Sequence, residues 1–127
     1  MNFLYNLDYS EPLDESEFLG DISLIGDDKN EIIEKSTFID SWFLALSEGM
    51  LCLKEGKDCI IDLPEEPYPL IIDTIKKTVE YGDQVIVVDD FEDMKNSLKA
   101  IINEFLIEVS FEKAGSSLLI LRKFLDE

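Results

Sequence analysis

The chain has 127 residues, 46% of them hydrophobic, which is enough to bury a core in one domain spanning 1–127. It carries 29 Asp and Glu against 11 Lys and Arg, no histidine, and a formal net charge of −18. An anionic surface repels nucleic-acid phosphates and anionic membranes, and the missing histidines exclude Ser–His–Asp triads, Cys–His pairs and His-ligated zinc.

Residues 2–7 (NFLYNL) read as a first strand, and 8–17 (DYSEPLDESE) as an exposed acidic loop broken by Pro12. The stretch EFLGDISLIGDD nearly alternates through Phe18, Ile22 and Leu24, as a half-buried strand does. Asp27–Asn30 makes a turn. EIIEKS then either pairs as a hairpin strand or opens the next helix. Residues 37–55 carry the clearest helical pattern. Ser36 or Thr37 is its expected cap, Asp40 lies in its first turn, and Gly56 lies at its end. Its broad apolar stripe includes Phe38, Trp42, Ala45 and Leu46, so Trp42 is expected in the core.

DCIIDL (58–63) reads as a strand, followed by a loop stiffened by Pro64, Pro67 and Pro69. LIIDTIKKTVEY is expected to be one further strand, part of which could be helical. Gly82–Asp83 is a turn into the β-branched run 84–88 (QVIVV). A second helix is expected over 91–113, capped by Asp89 or Asp90 and ended by Gly115. Its tail LIEVSF could instead be a strand. Residues 117–125 are a last apolar segment, helix or strand. The order predicts an α+β fold: an antiparallel or mixed sheet of four to six strands, packed against one long central helix and a C-terminal helix.

Carboxylates are the only abundant chemistry. Ten lie between Asp8 and Glu34 with Lys29 as the one basic residue, and Glu80, Asp83, Asp89, Asp90, Glu92 and Asp93 form a second cluster. Such crowding stores repulsion that a cationic partner relieves. The candidate partner-binding residues are therefore Asp27, Asp28, Glu65, Glu66, Tyr68, Tyr81, Asp83, Asp89, Asp90 and Asp93. The prolines around Glu65, Glu66 and Tyr68 reduce the entropy lost on binding. DDKNEIIEK lacks the glycine and ligand spacing of a calcium loop, and helix capping accounts for the Asp89–Asp93 run. No phosphate-binding loop is present. No catalytic residue, metal or cofactor is expected.

Cys52 and Cys59 form no CxxC pair and are read as small buried apolar residues. The N-terminus lacks the features of a secretory signal, and no apolar stretch is long enough for a membrane span. The expected location is the cytoplasm.

The Gly20–Asp21–Ile22 strand, a helix carrying Ser41–Trp42, Gly56 before a strand and the Gly82–Asp83–Gln84–Val85 turn follow one another in an order that resembles small acidic bacterial immunity proteins of contact-dependent inhibition and related polymorphic toxin systems. The resemblance spans about residues 18–90. It implies a cytoplasmic, non-enzymatic protein that neutralises a basic toxin, often a nuclease, by covering it. It assigns no residue a role. The alternative is an accessory or regulatory domain whose acidity serves solubility only.

Overall fold

Alternation of buried apolar residues with outward-facing ones builds two antiparallel meanders, one before and one after a long helix. The computed structural model describes residues 1–10, 18–56, 58–109 and 116–127. The first sheet has the order β1 (Asn2–Leu7), β2 (Leu19–Ile25) and β3 (Glu31–Phe38). α1 (Ile39–Lys54) follows. The second sheet has the order β4 (Cys59–Ile61), β5 (Leu70–Asp73), β6 (Thr78–Tyr81) and β7 (Gln84–Val87). α2 (Phe91–Glu108) and α3 (Ser116–Leu125) close the chain.

The α+β class holds, but the single sheet of four to six strands becomes two sheets of three and four strands, and the helices number three among the described residues. One cause is 70–81, expected as one strand. Asp73 Oδ1 accepts from the N–H groups of Ile75 and Lys76, and Lys77 takes a positive φ of 57°. These bonds turn the backbone at Thr74–Lys77, so β5 and β6 pair as a hairpin. EIIEKS resolves as strand and 117–125 as helix. Residues 11–17 of the acidic loop, the end of LIEVSF and the stop at Gly115 lie outside the described residues.

The expected side-chain cap of α1 is not used. Phe38 occupies the cap position without a side-chain hydrogen bond, and Ser36 and Thr37 belong to β3. There the pairing shifts between Gly20 and Ile22, so Lys35 and Ser36 together oppose Asp21. This is a β-bulge: Ser36 adopts a φ of 53°, and its N–H donates to Asp21 Oδ1 at 3.0 Å. Asp90 does cap α2, accepting from Glu92 N–H at 2.9 Å, and Gly56 follows α1 with a φ of 75°.

One continuous core joins the layers, and Trp42, Phe18, Phe43 and Phe105 are fully buried in it. Phe43 and Phe105 meet edge to face, with ring centres 5.3 Å apart. The cysteines differ from their sequence reading. Cys52 is half-exposed, Cys59 is buried, and the two form a disulfide that ties the last turn of α1 to β4. Seven residues of separation bring their Cα atoms within 6.2 Å, which is the reach of a disulfide. No helix among the described residues is long and apolar enough to cross a membrane.

Candidate functional site

The fold sorts most of the candidate carboxylates and tyrosines into two groups. The first gathers at the β2–β3 turn and the start of α2. Asp27 Oδ1 accepts from the Met1 ammonium at 2.8 Å, and its Oδ2 accepts from Asp89 N–H at 2.8 Å. These donors hold the Asp27 carboxyl below the usual carboxylate range, the ammonium having the larger effect. Asp28 accepts from its own turn, at Asn30, and from Val87 N–H at 3.3 Å. Asp93 stands 3.8 Å from the Met1 ammonium with its side chain 62% exposed. Asp89 and Asp90 are exposed beside them, Asp90 serving as the helix cap.

The second group gathers under the proline loop. Tyr81 is buried (1% exposed), so it is not available as a rim residue. Its hydroxyl donates to Glu66 Oε2 at 3.2 Å. Tyr68 stands edge-on to the Tyr81 ring at 5.6 Å and is half-exposed. Gly82 permits this packing, because a Cβ there would lie 2.8 Å from the Tyr68 ring, and its φ of 61° suits the two-residue turn. Thr37 Oγ1 donates to Glu66 Oε1 and accepts from Trp42 Nε1 at 2.9 Å. Glu65 and Asp83 are exposed and belong to neither group, Glu65 with a φ of 68°.

Two members of this second group, Glu34 and Thr37, were not among the candidate partner-binding residues. Ile32 points inward from β3, so Glu34 two residues on points inward as well, opposite Ile22. Alternation alone could have marked it as a carboxylate on the core face. Burial, then the charge of Glu66 and a hydrogen bond to it, push the Glu34 carboxyl above its usual range. Burial, followed by the charges of Glu34 and Glu66, also raises the Tyr81 hydroxyl. Glu108 was missed too. It accepts from Tyr5 at 2.7 Å and from Tyr9, whose hydroxyl is pushed up to about 12, chiefly by this bond.

The lysines and arginine do not neutralise these groups. Between described residues both ion pairs are made by the Met1 ammonium, and no Lys or Arg side chain pairs with an Asp or Glu side chain. Among the described residues no cluster has the makings of a metal site. An apolar groove of about 440 Å³ runs between α1 and α3 beside Leu44, Leu51, Ile120 and Phe124. Its polar lining, Ser47, Glu48, Lys123 and Glu127, does not include either carboxylate group.

These features define an acidic α+β protein with two contrasting carboxylate groups. No protein-family model, curated protein or solved structure matches the chain.

Proposed function

We propose that this protein acts without catalysis, by binding a basic protein, and that the partner is a toxin domain, a nuclease by preference, which it neutralises by covering. One observation carries the reading. The chain has a net charge of −18, and the exposed candidates Asp83, Asp89, Asp90 and Asp93 make no ion pair with a lysine or arginine side chain. The carboxylates are thus left to repel one another, and a cationic partner relieves that repulsion. A nuclease must be basic to hold phosphates, so an anionic inhibitor is steered toward its substrate cleft. The resemblance to immunity proteins supports the same reading, and with it a cytoplasmic site of action.

The test is co-purification at low salt from the organism that makes the protein, followed by titration of the recovered partner. A basic protein is expected, with affinity that falls steeply as salt rises. Reversing charge at the exposed Asp83, Asp89 and Asp93 should weaken binding further. If low-salt capture yields no basic protein, or if binding ignores salt and these reversals, acidity serves solubility alone.

A further inference from the structure

Among the described residues, the second sheet has one face against the helices and one without them. Cys59, Ile72, Val79 and Ile86 make a row on the core face. The residues one step along each strand point the other way, and the register aligns Ile60, Ile71, Glu80 and Val85 in a row across all four strands. The solvated face of an antiparallel sheet is ordinarily polar. Here three of the four positions are β-branched aliphatics, with Ile60 74% and Val85 40% exposed. Beside β7, Ile33 of the first sheet is 38% exposed, and its N–H donates to Gln84 Oε1. At its far corner, Ile75 in the β5–β6 turn is 87% exposed.

Carboxylates border the stripe. Glu80 interrupts it, Asp73 lies in the next row, and Asp58 is fixed at the corner by accepting from Thr74 N–H and Oγ1 at 2.9 and 2.6 Å. Asp62 and Asp83 are exposed at the opposite end. Lys76 and Lys77 are the counter-charges, confined to the β5–β6 turn. An aliphatic centre inside a charged rim is the anatomy of a protein interface.

We propose that this outer face of β4–β7 is where the partner docks, and that the partner presents lysines or arginines around an aliphatic centre. The inference rests on the binding reading above and adds the surface and its chemistry. Charge selects the occupant: a second copy of this chain would set Asp58, Asp62 and Glu80 against the same carboxylates, whereas a basic surface pairs with them.

Two synthetic peptides of equal length and equal lysine count, one alternating Lys–Ile and one alternating Lys–Ser, test this on the intact chain by NMR titration. The Lys–Ile peptide should bind about tenfold more tightly, since it buries aliphatic area as well as pairing charge. Its shifts should map to Ile60, Ile71 and Val85. Ile60→Ser and Val85→Ser, both at exposed positions and each checked for unchanged melting, should remove that advantage and leave Lys–Ser binding unaltered. Equal binding of the two peptides, or shifts centred on Asp27, Asp28 and Asp89, overturns this docking face and leaves the charge-based function standing. Failure of both peptides to bind at low salt overturns the two together. A dimer in sedimentation that dissociates on Ile60→Ser replaces the basic partner with a second copy.

Discussion

The two carboxylate groups use the same residue types and reach opposite electrostatic states. Around Asp27, an ammonium and a backbone N–H surround the carboxyl, so its charge is held in place. Under the proline loop, Glu34 faces Glu66 below Tyr81, so burial and the charge of Glu66 favour a proton on Glu34. A count of acidic residues does not separate these cases. What separates them is the donor each carboxyl meets. The first group stitches the β2–β3 turn to β7 and α2, and the second stores repulsion beside the Trp42–Thr37 hydrogen bond.

That contrast can be broken or sharpened by substitution, starting with a control remote from the titrating groups. Replacing Cys52 and Cys59 together by serine removes a short cross-link and should lower unfolding free energy by about 2 kcal/mol. In urea titrations the loss should be the same at acidic and neutral pH. A pH-dependent loss would mean that the disulfide end of α1 communicates with the carboxylates. Thr37→Val comes next. It keeps the shape but strands the buried Trp42 N–H and removes a donor to Glu66, for a loss of about 2 kcal/mol that Thr37→Ser should largely avoid.

Asp27→Ala should cost about 1 kcal/mol at neutral pH. Because the folded state depresses this carboxyl, its stabilisation is present above the unfolded pKa and fades as pH falls through the folded one. The cost of Asp27→Ala should therefore shrink in acid. A constant cost would show that charge is not what Asp27 contributes. Glu34→Gln has the smallest effect and the opposite sign. The folded state raises this carboxyl, so its ionised form is a liability at neutral pH, and the substitution should raise the melting temperature by roughly 2 °C there. The gain should vanish below the usual carboxylate range, where native Glu34 already holds its proton. Destabilisation by Glu34→Gln at neutral pH would contradict the repulsion.

Local signals in the sequence were dependable where one residue type controls the backbone. A cap of α2 at Asp89 or Asp90, which the structure assigns to Asp90, the Gly82–Asp83 turn and the burial of Trp42 were all legible from spacing. The turn that splits 70–81 was not, because its residues, Thr74 to Lys77, lack glycine and proline, and the bend depends on the Asp73 side chain bonding two following amides. The bulge at Ser36 displaced the expected cap of α1, since that conformation requires Asp21 from the neighbouring strand. The disulfide depends on α1 ending beside β4, a meeting that spacing alone does not reveal. Of the site, the carboxylate surplus was visible, and Tyr81 and Glu66 were each among the candidates without any signal that they meet. The inward side of Tyr81, and Glu34 facing Glu66, emerge only when the loop closes over β3.

The junction between the two meanders also governs how the protein comes apart in time. Within each sheet, neighbouring strands are consecutive in the chain, so their ladders close over short separations. β7 instead meets β3 and the β2–β3 turn through bonds that span much longer stretches, Ile33 N–H to Gln84 Oε1, Asp27 N–H to the Val87 carbonyl and Val87 N–H to Asp28 Oδ1. Gly26 lets them approach: a Cβ there would lie 2.8 Å from Ile86 Cβ. Local ladders close over shorter loops than this junction, so its bonds are expected to carry low φ-values. Gln84→Ala should accordingly raise the unfolding rates of a chevron plot's high-denaturant arm at unchanged slope, while the refolding arm keeps its rates. The same junction makes the two meanders the natural units of partial opening.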